Sequence, residues 1–228
     1  MKNPNRIQKL LLSLFVAGSL LSLCSGCIGW QDRVKLNLKD AHKKVNYYKD
    51  PAAKDSIHRV LLMPVVNLSR QKFNGDDFYR EMVLMFSKYS YFEVMTAEHY
   101  PEEMINTLAS FYRVKKARTE DSLDEVKRFC EENKIDAFIF PEIILYRAYK
   151  PLIIGYRHNM VRLPGGEMLW SVDDVFKMND PNVDVLAKNW YYKNCPDEVN
   201  PSLKSNIMDV SISNFTTFVL EMIGQTWQ

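Results

Sequence analysis

Glycine is scarce in this chain, eight residues in 228, and no G-x-x-x-x-G-K-[ST] spacing occurs among them. Such a loop wraps backbone amides around a phosphate, so its absence removes the commonest nucleotide-binding device. G-x-S-x-G is missing too, and with it the strained turn that presents a nucleophilic serine. No H-E-x-x-H occurs, and the four histidines, His42, His58, His99 and His158, are scattered. Each reads as a loop or surface residue. An excess of one charge is also absent. Residues 1–26 hold three basic and no acidic side chains, and without them 27 basic residues face 28 acidic ones, a net charge of −1. That balance gives no electrostatic case for a nucleic-acid partner.

What the sequence does have begins at its N-terminus. Lys2, Arg6 and Lys9 precede an apolar run from Leu10 to Leu23, and Ser25 and Gly26 then lead to Cys27. A charged start, an apolar middle and a small-residue exit make a secretory signal. The run falls short of the roughly 20 residues that a spanning helix needs, and no second long apolar stretch follows. Leu23-Cys24-Ser25-Gly26-Cys27 resembles a lipobox, with Cys24 standing where leucine is usual. The resemblance implies cleavage after residue 26 and a lipid anchor on Cys27. Ile28 in place of an aspartate implies, by the same resemblance, the periplasmic face of the outer membrane. A redox or metal role for the Cys24–Cys27 pair is set aside, since Cys24 lies in the removed segment. Cys130 and Cys195 remain, and an oxidising compartment would allow them to pair.

Residues 27–56 read as the lipidated N-terminus and a lysine-rich tether, with a short helix possible over 38–48. Its lysines are able to touch anionic headgroups, although a solvated spacer is the plainer reading. Residues 57–228 read as one domain, with 46% hydrophobic and 12% aromatic residues in the whole sequence to build a core. Val60 to Val66 is a continuous apolar run, as in a strand covered on both faces, with Pro64 marking a bulge or edge. Asp76 opens a helix whose Phe78, Met82, Met85, Phe86 and Tyr89 share a face. Tyr91–Met95 reads as a strand. Helices follow from Pro101 and from Ser122, the latter with Glu125 at capping-box spacing, and Cys130 falls on the inward face. Asp136–Tyr149, Leu152–Leu163 and Glu167–Met178 form an antiparallel meander turned by Pro164-Gly165-Gly166. Ala187–Tyr192 reads as a short further strand. Asn200-Pro201 starts a closing helix with Met208, Ile212, Phe215, Val219 and Met222 on one stripe. The fold expected is therefore α/β, a mixed sheet with helices packed on it.

Several local motifs resemble the superfamily of the curli-secretion lipoprotein CsgG, the N-terminal domain of TolB and the penicillin-binding-protein activator LpoB. They are Val60 to Asn67 with Leu68-Ser69, Phe92-Glu93-Val94, Ile135-Asp136-Ala137-Phe138-Ile139, and Gly166-Glu167-Met168-Leu169-Trp170-Ser171. The resemblance spans about residues 57–225. It implies a membrane-anchored accessory factor for envelope assembly or secretion that binds protein partners and needs no cofactor. Its pore branch implies an alternative, a ring-forming subunit of an outer-membrane channel. Ile143–Leu163 is the stretch available for membrane hairpins, but Arg147, Lys150, Arg157, His158 and Arg162 interrupt it. A lipid-facing charge costs about 2–4 kcal/mol at the bilayer midplane. A further alternative is an envelope enzyme whose site only folding assembles. For that, Asp173, Asp174 and Asp180 are the cation-binding candidates, and turn or surface acids the plainer reading.

The candidate interaction surface is Tyr146, Arg147, Tyr149, Tyr156 and Arg157. Tyrosine and arginine are the side chains that most often anchor protein interfaces. Strand alternation also requires part of this set to point inward.

Overall fold

A computed structural model describes residues 43–114, 117–194 and 211–228. One seven-stranded mixed sheet organises them, in the order β1-β7-β6-β5-β2-β4 with β3 beside β5. The strands are β1 (Tyr47–Lys49), β2 (Arg59–Leu62), β3 (Val66–Asn67), β4 (Glu93–Thr96), β5 (Ala137–Arg147), β6 (Ile153–Arg162) and β7 (Glu167–Lys177). The helices are α1 (Ala53–Ser56), α2 (Gly75–Tyr89), α3 (Glu102–Arg113), α4 (Glu120–Asn133), α5 (Pro181–Asn194) and α6 (Ile212–Gly224). This is the α/β mixed sheet with a meander that the sequence predicts.

The first half is parallel: β2 pairs with β4 on one side and with β5 on the other. The chain steps from β2 outward to β4 and then back past β2 to β5. Both crossovers must be right-handed, so their helices lie on opposite faces. Accordingly α2 packs on one face with α5 and α6, and α3 and α4 pack on the other. The run from Val60 does not stay one strand. It breaks after Leu62, and Pro64, which has no N–H to donate, is exposed in the gap before β3.

Several boundaries differ from expectation. Residues 43–56 belong to the folded unit: β1 pairs antiparallel with β7, and Val45, Ala53 and Ile57 are buried. Tyr47 and Tyr48 supply the β propensity that the surrounding lysines obscure. Ala187–Tyr192 is helical, within α5, where Val183, Ala187 and Tyr191 form the inward stripe. Asn74, not Asp76, caps α2, its side chain accepting the Asp76 N–H at 3.2 Å. Thr119 caps α4 in a reciprocal capping box with Ser122. The stripe of α6 is as expected at Phe215 and Val219, with Ile212 and Met222 partly buried. Asn200-Pro201, Met208, Cys195 and the whole segment through His42 lie outside the described residues, so the closing-helix start and a Cys130–Cys195 bridge do too.

Two polar residues of the motifs have structural work. Asp136 Oδ2 accepts from the His58 and Arg59 backbone amides at 2.7 and 2.9 Å, pinning the start of β2 to β5. Asn67 holds the loop after β3: its Nδ2 donates to Gln71 O at 2.7 Å, and its Oδ1 accepts from Ser69 N at 3.0 Å.

Candidate interaction surface

Among the described residues, helices cover one face of the three-stranded meander β5-β6-β7 and reach the other only along part of β5 and the end of β6. Beneath α2, α5 and α6 lie Ile143, Ile154, Tyr156, His158, Met160, Trp170, Val172 and Phe176, all buried. On the opposite face, α3 and α4 reach Phe138 and Phe140 of β5 and Val161 at the end of β6. Beyond those residues that face turns polar. It carries Glu142, Arg157, Asn159, Ser171, Asp173 and Val175, none of them fully buried.

Charge on this open face is arranged in a row across the strands. Glu142 pairs in register with Arg157, and Arg157 with Asp173. The Arg157 guanidinium donates from Nε to Asp173 Oδ2 at 2.8 Å, and its Nη2 lies 2.7 Å from the same oxygen. Nη1 is 3.7 Å from Glu142, and Arg113 of α3 approaches Glu142 from the other side at 3.9 Å. Opposite charges directly across an antiparallel pair are mutually favourable. Asn159 donates to the Tyr112 hydroxyl at 2.8 Å, and the Tyr112 ring stacks on Phe140 at 3.9 Å between centroids, which closes the border with α3. At the margins stand Tyr48, Leu145 and Met168, each more than a third exposed.

The five residues of the predicted surface fall in three places. Arg157 is at the centre of the open face. Arg147 and Tyr149 sit at the β5–β6 turn, Arg147 donating to Pro151 O at 2.7 Å with its guanidinium 5.7 Å from the Tyr149 ring centroid. Tyr149 is 69% exposed. Tyr146 faces the other way, half-buried with its ring 5.2 Å from that of Phe73. Tyr156 is a correction: it is 0% exposed and belongs to the core. Residues 156 and 157 are neighbours on one strand, so they point to opposite faces. Sequence reading missed Glu142, Asp173 and Asn159 as companions of Arg157, because only the register brings them together.

The three aspartates considered as cation ligands have partners within the fold. Asp174 accepts from Lys43 at 2.7 Å and from Asn46 N at 3.0 Å, Asp173 holds Arg157, and Asp180 accepts from Asn182 N at 2.9 Å as α5 begins. Among the described residues no three histidine, cysteine or acidic side chains converge as a metal site. Burial drives His158 down to about 3 and raises Tyr156. Cys130 is pushed up to about 11, chiefly by burial and secondarily by Glu131. A groove of about 590 Å³ between α2 and α6 is lined by Phe73, Asp77, Arg80, Glu81, Tyr146 and Thr216. Asp77 is ion-paired with Arg80, and Glu81 accepts a hydrogen bond from Thr217. The Ile143–Leu163 stretch lies mid-sheet, paired to β7 as well as folded on itself. Among the described residues no helix is long and apolar enough to cross a membrane.

No protein-family model matches this chain, and no curated protein matches it. Solved structures do. The PelC dodecamer from Paraburkholderia phytofirmans is similar with a TM-score of 0.40 at 8% identity, over 76% of this chain and 96% of that one. A lipoprotein from Neisseria meningitidis is similar with a TM-score of 0.34 at 15% identity, over 52% and 79%. The LpoB C-terminal domain from Salmonella enterica gives 0.35 at 10% identity, over 53% and 82%.

Proposed function

We propose that this chain is an envelope lipoprotein, anchored through lipid on Cys27 to the outer membrane at its periplasmic face, and that it acts by binding a protein partner rather than by catalysis. The anchor rests on the N-terminal sequence. The binding role rests on one observation: a three-stranded sheet face that the described helices cover only along its α3 border, with the Glu142–Arg157–Asp173 row exposed beside that border and apolar side chains at its margins. A charge row gives register and selectivity to a contact, and the marginal apolar groups add buried area to it.

Photo-crosslinking in intact cells tests this. A benzophenone side chain at Met168 or Ser171 is expected to trap one discrete envelope protein, and Arg157→Glu is expected to reduce that adduct several-fold while the domain stays folded. No adduct at either position, or an adduct indifferent to Arg157→Glu, overturns the assignment of this face. Light scattering of the detergent-extracted protein is expected to give a monomer-sized particle. A discrete ring of many copies would replace the accessory role with the channel role.

A further inference from the structure

Extending β1 backwards shows where the N-terminal segment joins the domain. β1 runs antiparallel to β7, Tyr47 opposite Val172 and Lys49 opposite Trp170. Stepping back to Lys43 therefore moves toward the C-terminal end of β7, and the Lys43 ammonium does lie 5.1 Å from the centre of the Phe176 ring. Lys43, the first described residue, thus lies at the end of the sheet where β7 stops, β5 turns and β6 begins.

That same end carries unpaired positive charge. Arg147, Ile153 and Lys177 form one row across β5, β6 and β7. Arg70 and Lys72 project from the Asn67-braced loop, whose Leu68 amide bonds to Ile143 O at 2.8 Å and whose Phe73 packs on Tyr146. Lys44, next in the chain to Lys43, is exposed. Among the described residues none of Lys44, Arg70, Lys72, Arg147 and Lys177 is ion-paired, whereas Asp77 is held by Arg80 and Asp174 by Lys43; Asp180, which accepts from a backbone amide, keeps its charge near Lys177 and leaves the cations in excess. Tyr149 and Leu68, 69% and 50% exposed, stand among the cations.

From this placement we infer that the β5–β6 turn end of the domain docks on anionic phospholipid headgroups of the membrane that holds the anchor, through Arg70, Lys72, Arg147 and Lys177, with Tyr149 entering the interface. This rests on the lipid-anchor reading and goes beyond it. Fifteen residues lie between Cys27 and Lys43, and a chain of sixteen steps reaches at most about 55 Å. An anchor on Cys27 would tether this end within that reach of the bilayer, and each basic residue near an anionic surface favours the docked state about five-fold. Tyrosine suits the headgroup level because one end of its ring is apolar and the other wet. Docked in this way, the domain would hold the open sheet face beside the membrane rather than turned to it.

The test uses the full lipidated protein in vesicles of phosphatidylcholine, with and without phosphatidylglycerol. A fluorophore is placed either at Ala148→Cys or, on the opposite turn, at Gly165→Cys, both in a Cys195→Ser background. Headgroup-attached nitroxide lipid is expected to quench position 148 several-fold more than 165, only in anionic vesicles. High salt should abolish the difference without releasing the protein, since exposed charges are screened while the anchor is not. Reversing Arg70, Lys72, Arg147 and Lys177 to glutamate should do the same. Equal quenching at the two positions, or quenching at 148 that ignores salt, charge reversal and lipid charge, overturns the docking, as does quantitative crosslinking of this end to a protein. The intact mass of the extracted protein reads the anchor separately. If that mass lacks the diacylglyceryl group, the anchor reading fails, and co-sedimentation of the same protein with anionic vesicles then decides the docking alone.

Discussion

The Nδ1 atom of His158 lies 3.2 Å from the hydroxyl oxygen of Tyr156, and both side chains are wholly buried on the helix-covered face of β6. Trp170 and Phe86 complete the enclosure, with ring centroids 4.0 and 6.2 Å from the imidazole, and among the described residues Nε2 has no hydrogen-bond partner. An imidazolium there would be a buried charge without a counter-ion, which is why burial lowers the histidine to about 3. The unfolded chain binds this proton near pH 6.5 and the folded one does not. The stability contributed by keeping His158 neutral is therefore complete above pH 6.5 and is lost as pH falls from 6.5 toward 3. Denaturant titration should show the domain about 2 kcal/mol less stable at pH 5 than at pH 7.5 from this group alone. His158→Phe should flatten that fall. An unchanged pH dependence in the variant would show that His158 is not the group responsible.

On the other face of the same strand the energetics are different. Arg157 and Asp173 are 39% and 48% exposed at their side chains, so solvent screens their attraction. Exposed pairs of this kind contribute roughly 0–1 kcal/mol. Arg157→Gln should accordingly cost the fold little, with a melting temperature within a few degrees of the parent, while reducing the partner adduct several-fold; Arg157→Glu adds repulsion from Glu142 and Asp173 and costs more. A large loss of stability would mean that the row is structural, and the binding role of Arg157 would have to be abandoned.

How far the sequence revealed the fold can be judged along this one strand. Local pattern in adjacent residues found the meander, its turn at Pro164-Gly165-Gly166, the apolar stripe of α2, and the helices α3 and α4. It placed Tyr156 and Arg157 on one surface, because composition ranked them alike while strand alternation separates them. The row of Glu142, Arg157 and Asp173 was not legible, since register across three strands depends on the bulge between Ile143 and Leu145. β1 was missed for another reason: three residues flanked by lysines carry too little signal, and only pairing with β7 makes them a strand. α5 was read as a strand because Trp190, Tyr191 and Tyr192 favour strands locally, and packing against α6 overrides that preference.

Cys130 offers a check on the face covered by α3 and α4. Its sulfur faces Leu163 O at 3.9 Å, and burial raises the thiol to about 11. The thiolate is the reactive form, so at pH 8 roughly one molecule in a thousand presents it. In the native protein a maleimide should leave the Cys130 peptide unmodified over hours, as read by mass spectrometry, and should label it promptly in denaturant. Prompt native labelling would mean that α4 opens readily from Phe138 and Val161.

At Gly155 β6 approaches β5 closely. It sits opposite Leu145, next to the bulge, and a Cβ built on it would stand 2.8 Å from Leu145 Cβ and 2.9 Å from Ile144 Cγ1. Neither atom is the free end of a flexible side chain, so relief requires the β5 backbone to move. Crowding of this kind costs about 1–3 kcal/mol, and Gly155→Ala should lower stability by that amount even though alanine is ordinarily no worse than glycine in a strand. The loss should also be local. Amide exchange should accelerate at Leu145–Arg147 and Ile153–Arg157, where the two strands separate, and stay slow in α3 and α4 on the far half of the sheet. Because Arg147 ends this stretch, the same substitution should loosen the turn that carries Tyr149. If Gly155→Ala proves as stable as the parent, β5 and β6 have room between them, and the bulge does not fix the register that aligns Arg157 with Glu142.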